Sequence, residues 1–260
     1  MKIREYLLEY KERRTKSISK DDAIDMVSKN CMNAFNKSLS SFKICRDIGT
    51  NSLSYGFVDP TKGEPRKSAN TENYYTLIID NSKRWKSYPK RSRSIICSNM
   101  APSSETHIVL PFDNSKIGIC PTSDMWWSFE KSFNNILLND VNMYLNILFH
   151  EFDIKVKSDC SFTDLKSYLN TVDETINSQG FFSKSRIVNF IKFMDKYIGS
   201  KMSMFEFIDT KMDPIKNNFK VVKVGDSILG EKEVWTDGKS VLVQSNLFND
   251  FVDGVKKKHD

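Results

Sequence analysis

The residues best suited to chemistry are two glutamates two positions apart, Glu231 and Glu233, at the start of a stretch that predicts a β-strand. Side chains two positions apart in a strand point to the same face, so both carboxylates would enter one cleft. Paired carboxylates can stabilise the positive charge that develops on a sugar when its bond to a leaving group breaks. The same spacing also fits two exposed glutamates on an edge strand, and both interpretations stay open.

Most other catalytic chemistries have no local support in the sequence. It contains no glycine-rich phosphate loop, no GxSxG and no HExxH, and its three histidines are scattered. Its five cysteines are an odd number without a CxxC spacing, which predicts reduced thiols and no metal site. The charged N-terminal stretch MKIREYLLEYKERR lacks the apolar core of a secretory signal, and no apolar run reaches membrane-spanning length. We therefore expect a cytoplasmic protein.

The net charge of +6 is concentrated in two segments, the first 20 residues and residues 83–93. The second segment carries six cations and no acid, and a cluster of this kind can follow a nucleic-acid backbone. Trp85 within it could stack on a base. A solvated surface and a tryptophan packed in the core explain the same residues. A non-enzymatic nucleic-acid-binding or virion-associated protein is therefore one alternative.

The elements that must position these residues follow from the hydrophobic periodicity. Ser19 and Asp22 have capping-box spacing before a helical apolar pattern that runs to Leu39. Residues 15–20 and 49–70 predict polar connections. The order of helices, strands, helices and strands predicts an α+β fold rather than a doubly wound sheet. Strands are predicted at 42–46, 94–98, 107–110, 116–120, 220–224, 234–235 and 241–243, and helices at 1–14, 24–39, 73–80, 247–255 and throughout 124–212.

Three short motifs, taken in order, resemble those of the mono-ADP-ribosyltransferases of the Arg–Ser–Glu group, which includes bacterial toxins and phage enzymes. Residues 42–46 resemble the family's first strand, which ends in an arginine that binds NAD. Residues 94–99 resemble the second motif, a strand that carries serines. Residues 229–243 resemble the Glu-x-Glu strand followed by a hairpin, with its turn at Asp237 and Gly238.

The resemblance implies an ADP-ribosyltransferase-like split, mixed β-sheet core in a single domain. Residues 1–40 would be N-terminal helices, and residues 41–123 and 218–260 would form the catalytic β core. Residues 124–213 would be a large helical insertion.

The resemblance also implies roles for individual residues. Arg46 would bind the NAD pyrophosphate, since a guanidinium stays charged and binds phosphate through two hydrogen bonds. Ser94 or Ser98 would hydrogen-bond the catalytic glutamate. Glu233 would hold the nicotinamide ribose and stabilise the oxocarbenium ion, and Glu231 would orient or deprotonate the acceptor.

Further contacts with the substrates are implied on either side of these motifs. Asn73 and Tyr74 would line the nicotinamide pocket, and the loop with Ser227 and Gly230 would contact the acceptor. Glu231 favours a protein arginine as acceptor, whereas the basic segments permit a nucleic acid, and an NAD glycohydrolase would use water. An enzyme of this kind would act inside a bacterial cell as a phage factor or as a toxin with an inhibitor protein. The resemblance implies NAD as co-substrate and no metal.

Overall fold

The computed structural model of the protein describes residues 15–48, 53–62, 64–66, 73–157, 159–181 and 185–259. Within these ranges the chain forms eight α-helices and nine β-strands, which confirms the predicted α+β class. The predicted helix at 1–14 lies outside them. None of the helices in the described ranges is both long enough and apolar enough to cross a membrane.

All nine strands belong to one sheet, in the order β1-β3-β9-β5-β2-β4-β8-β6-β7. Every pairing among them is antiparallel, so the expectation of a mixed sheet is wrong. Strand direction depends on where the chain re-enters the sheet after long connections, and no local pattern reports that. The strands are β1 Thr15–Ser17, β2 Lys43–Asp47, β3 Tyr55–Val58, β4 Ile95–Met100, β5 Thr106–Pro111, β6 Lys116–Ile119, β7 Lys220–Lys223, β8 Lys232–Thr236 and β9 Ser240–Gln244.

The predicted hairpin of β8 and β9 is also wrong, because these two strands do not pair. They lie four strand positions apart in the sheet, yet only residues 237–239 connect them. Four spacings of a flat sheet would be about 19 Å. The four Cα–Cα steps from Thr236 to Ser240 span at most about 15 Å. The sheet is therefore bent somewhere between β9 and β8. We call β1-β3-β9-β5-β2 and β4-β8-β6-β7 its two halves.

Two segments predicted as polar connections contain strands. Thr15–Ser17 pairs with Gly56–Val58, and Tyr55–Val58 pairs in turn with β9. Tyr55 and Val58 belong to the buried apolar cluster of the sheet. Backbone hydrogen bonds hold such short strands in the sheet. The polar residues around them therefore obscure the alternation of apolar side chains that would predict a strand.

Internal contacts divide the chain into two units. The first, here called the sheet unit, consists of the described residues of Met1–Ala69, Ser87–Asp124 and Phe219–Asp260. The second, the helical unit, consists of those of Asn70–Lys86 and Met125–Asn218. The predicted insertion at 124–213 covers most of the helical unit. The rest of that unit, Asn70–Lys86, falls within the predicted β core of residues 41–123.

Three helices pack on the strands of the sheet unit: α1 Lys20–Asn30, α2 Met32–Ser38 and α8 Phe248–His259. The Ser19 hydroxyl accepts a hydrogen bond from the Asp22 amide and starts α1, as its spacing predicts. The predicted continuous helix breaks at Cys31, whose φ of −130° is not helical. Gly254 lets α8 approach α1 closely, because a Cβ there would lie 2.5 Å from Ile24.

The helical unit contains α3 Tyr74–Asn81, α4 Leu138–Glu151, α5 Phe162–Gln179, α6 Val188–Ser200 and α7 Met204–Lys211. Helix α5 begins at a full capping box of Ser161 and Asp164. The segment 125–133, where helix was predicted, forms turns instead, and regular helix starts only at Leu138. Its aromatic residues pack without a helix: Phe129, for example, meets the buried Trp85 edge-on at 6.2 Å.

Candidate active site

The three predicted motifs come together on neighbouring strands, β2, β4 and β8, in the centre of the sheet. Ser98 of β4 lies directly opposite Glu233 of β8. On its other side Ser98 lies opposite Cys45 of β2, the residue before Arg46. Directly paired residues of antiparallel strands share a face, with Cβ atoms about 5 Å apart. Ser98 and Glu233 are therefore neighbours on one side of the sheet.

The Glu233 carboxylate forms a buried ion pair with Arg91. The Arg91 Nη2 lies 2.5 Å from Glu233 Oε1, and the two side chains are only 4% and 14% exposed. The Cys120 thiol lies 3.8 Å from the same oxygen. Burial, followed by the nearby Glu233 charge, raises the pKa of Cys120 well above its usual range. The thiol therefore stays protonated and donates to the carboxylate.

The guanidinium of Arg91 packs against aromatic side chains. Its guanidinium carbon lies 5.3 Å from the centre of the Trp235 ring, and the Trp235 Nε1 donates to the Pro89 carbonyl over 3.0 Å. Tyr88 stacks near that ring at 6.2 Å and 15°. Gly118 pairs with Trp235 in register, and a Cβ there would lie 2.3 Å from the ring. These contacts confine the guanidinium between the ring and the carboxylate.

Arg46 lies where β2 and β4 separate. The last recorded pair between these strands is Cys45 with Ser98, whereas Arg46 pairs only with His107 of β5. The Arg46 Nη1 donates to the Ile96 carbonyl over 2.7 Å, and the residue is 9% exposed. The predicted phosphate-binding arginine thus follows the last pair of β2 with β4, and strand alternation directs its side chain away from the face that Cys45, Ser98 and Glu233 share.

His107, beside Arg46, is a buried residue that the sequence analysis did not select. Its Nε2 lies 2.6 Å from the Leu53 carbonyl, which fixes a proton on that nitrogen. Its Nδ1 has no hydrogen-bond partner within the described part of the chain. Burial lowers its pKa, an effect that the Leu53 carbonyl and the charge of Asp47 oppose. A single histidine in a strand carries no sequence signal for such a position.

The two candidate serines have different surroundings. Ser94 is fully buried, and its hydroxyl donates to the Lys90 carbonyl over 2.6 Å, which closes the turn before β4. Ser98 is half-buried and lies opposite Glu233. Of the two, Ser98 has the position that a partner of the glutamate requires.

The loop before β8 is anchored by Asn99, which sequence reasoning did not single out. The buried Asn99 amide donates to the carbonyls of Gly230 over 2.8 Å and Ile228 over 3.3 Å. The exposed Ser227 accepts a hydrogen bond from Lys37 of α2 over 3.1 Å. Gly230 has φ of +70°, a conformation that favours glycine. The predicted acceptor loop is therefore tied to the sheet at its base.

Glu231 is exposed and lies one residue before β8, so strand alternation does not define its side-chain direction. Its neighbour Lys232 donates to the Pro121 carbonyl. The exposed carboxylate of Glu231 and the partly buried, paired carboxylate of Glu233 thus have different environments. Different environments are what two carboxylates with separate tasks require.

Asn73 and Tyr74, the predicted nicotinamide contacts, belong to the helical unit. Asn73 precedes α3 with a φ of +66°. Tyr74 is fully buried, and its hydroxyl donates to Asn146 over 3.0 Å while its ring meets Phe149 edge-on. These contacts make Tyr74 a core residue of that unit, and its contact with a ligand stays a prediction.

The basic segment 83–93 uses several of its side chains internally. Arg84 donates to Asp209 over 3.0 Å and to Asp213 over 2.8 Å, and Arg91 binds Glu233. Trp85 is buried and donates to the Met212 carbonyl, as the packing interpretation predicts. The segment therefore presents fewer free cations and no stacking platform, which weakens the nucleic-acid interpretation.

Comparisons with known proteins add no relative to this geometry. No protein-family model matches the chain, and neither the curated proteins nor the solved structures include a match. A function for this chain must therefore be inferred from the positions of its residues and from the resemblance of the three motifs.

Proposed function

We propose that the protein is an NAD-dependent mono-ADP-ribosyltransferase. One observation carries the proposal: Arg46, Ser98 and Glu233, which are far apart in the sequence, lie on three consecutive strands of the sheet. Arg46 belongs to one half of the bent sheet, and the other two residues belong to the other half. The three strands that carry the motifs of the resemblance are thus neighbours in the sheet.

The proposed reaction breaks the bond between the nicotinamide nitrogen and the ribose. The electron pair leaves with nicotinamide, and positive charge develops on the ribose as an oxocarbenium ion. The Glu233 carboxylate stabilises that charge, and Ser98 supports the carboxylate from the adjacent strand. Arg46 binds the pyrophosphate. A nucleophile of the acceptor then attacks the ribose carbon and gives its proton to the Glu231 carboxylate.

The acceptor that we favour is a protein arginine. Glu231 is exposed beside a loop that Asn99 ties to the sheet, so its carboxylate can meet a side chain from another molecule. Arg84 and Arg91 are engaged with carboxylates, which reduces the charge available to a nucleic acid. The enzyme would serve as a toxin or a phage factor within bacteria.

The test is incubation of the purified protein with adenylate-labelled NAD and a bacterial lysate. Glu233→Gln should lower nicotinamide release by about 100-fold or more, the effect of losing one electrostatic contact in a transition state. Glu231→Gln, the matched control two residues away, should keep NAD cleavage and lose label transfer. A wild-type protein that consumes no NAD, or a Glu233→Gln variant that cleaves NAD normally, would refute the proposal.

Nuclease and protease treatment of the labelled lysate identifies the acceptor. Label that protease releases and nuclease does not supports a protein acceptor. Label in the nucleic-acid fraction would keep the mechanism and change the acceptor. NAD consumption without any transfer of label would identify a glycohydrolase.

A further inference from the structure

We infer that Arg91 is a positioning residue for the Glu233 carboxylate, an inference that rests on the proposed function. The sequence places Arg91 in a run of cations that any anion could attract. Its structural surroundings are specific: it is one of the most buried charged residues among those described, and its guanidinium contacts Glu233.

The burial of this ion pair argues against a purely stabilising role. Removing two charges from water is expensive, and buried ion pairs are often no more stable than apolar residues of the same size. A pair retained in this environment needs another reason. The carboxylate of Glu233 is the group on which the proposed chemistry depends, so holding it in one orientation is such a reason.

The contacts restrain both partners in direction as well as in distance. Arg91 Nη2 and the Cys120 thiol both contact Oε1 of Glu233, so the plane of the carboxylate cannot rotate without losing them. The face of the guanidinium packs on Trp235, which lies two residues after Glu233 on the same strand. Arg91, the ring and the carboxylate thus form one rigid group along β8.

Only arginine fits this arrangement. A guanidinium is planar, so it can stack on a ring with its face and donate to a carboxylate with its edge. A lysine ammonium is a compact charge. It would keep the attraction to the Glu233 carboxylate but would lack the planar edge of donors that a guanidinium has. Arg91 also starts the short 3-10 turn that leads into β4, so the same side chain connects the second motif to the third.

The experiment measures kcat and KM for nicotinamide release with Arg91→Lys and Arg91→Ala. We expect Arg91→Lys to lower kcat by about 100-fold, the effect of a small misplacement of a reacting group, with KM for NAD changed less than about twofold. Guanidinium chloride at a non-denaturing concentration should partly restore Arg91→Ala, and sodium chloride at the same ionic strength should not. Should Arg91→Ala fail to fold, Arg91→Lys decides alone.

Arg93 provides the matched control, because it belongs to the same turn but is exposed and donates to the Thr61 carbonyl. Arg93→Ala should leave both kinetic constants unchanged. An unchanged kcat in Arg91→Lys would overturn the inference, and so would a raised KM with unchanged kcat, which would identify Arg91 as a phosphate ligand. Wild-type protein without NAD cleavage refutes the proposed function itself, so the two failures are distinct.

Discussion

The two units of the molecule hold their arginines in opposite ways. In the sheet unit, the side chain of Arg91 is 4% exposed and meets the carboxylate of Glu233. In the helical unit, the side chain of Arg84 is 40% exposed and meets those of Asp209 and Asp213. Both arginines come from the same basic segment and are seven residues apart.

The difference shows that the importance of an ion pair depends on its burial. The Arg84 side chain is exposed, and exposed pairs contribute little to stability. The Arg91 side chain is buried, and its loss would take the Arg91 charge away from a carboxylate that is mostly removed from water. Replacing Arg91 in the sheet unit should therefore cost more stability than replacing Arg84 in the helical unit.

The largest expected effect comes from removing one partner of the buried pair. Arg91→Met should lower the free energy of unfolding by about 3–5 kcal/mol, because the mostly buried Glu233 carboxylate loses the Arg91 charge. Combining it with Glu233→Met should recover most of that loss, because both charges are then gone. Urea unfolding of the single and double variants measures both values.

Equal losses in the single and double variants would contradict this account. They would mean that the packing of the Arg91 side chain on Trp235, rather than its charge, stabilises the sheet unit. The difference between Arg91 and Arg84 would then be a difference in packing and not in the burial of charge.

A smaller effect is expected from His107, a titratable group beside Arg46 in the sheet unit. Burial lowers its pKa below the ordinary 6.5, so the unfolded chain binds a proton more readily than the folded one. Stability should therefore fall as the pH drops below about 6.5 and should stop falling below the folded pKa. Replacing His107 with Gln should remove this slope, measured as Tm from pH 7.5 to 5.

The groups facing His107 are Arg46 across one strand pair and Gln244 across the other, with Asp47 nearby. Protonation would place a second cation beside Arg46, which adds to the destabilisation. A Tm profile that is identical with and without His107 would show that another group dominates acid sensitivity in this range.

The smallest effect is expected in the helical unit. Arg84→Ala should change the free energy of unfolding by about 1 kcal/mol or less at low salt, and by less still at 0.5 M salt, because exposed charges are screened. Urea unfolding at the two salt concentrations measures the difference. A loss as large as that of Arg91→Met would remove the distinction between the two units.

The sequence predicts much of the secondary structure because local signals determine it. The capping residues Ser19 and Ser161 define helix starts, and apolar runs predict the central strands β4, β5 and β9. The choice between Ser94 and Ser98 needed the strand register, which pairs Ser98 with Glu233.

The rest depends on contacts between residues that are distant in sequence. Arg91 and Glu233 are 142 positions apart, so nothing near either residue shows that they meet. The prediction of a β8–β9 hairpin is wrong for the same reason. A tight turn between two strands normally indicates that they pair, and no residue near this turn shows that the sheet is bent. Asn99 was read as part of a strand motif, and its hydrogen bonds to Gly230 required the tertiary structure.

The position of β8 between β4 and β6 has a consequence for how the protein acquires its activity during synthesis. Its neighbours in the sheet precede it by more than a hundred residues, and the whole of Met125–Asn218 lies between. Closing a loop of that length is slow, although each doubling of loop length adds only about 0.6 kcal/mol. The growing chain therefore holds Arg46, Arg91 and Ser98 without their glutamate until β8 emerges from the ribosome. Under the proposed function, the chain would be inactive for most of its own translation.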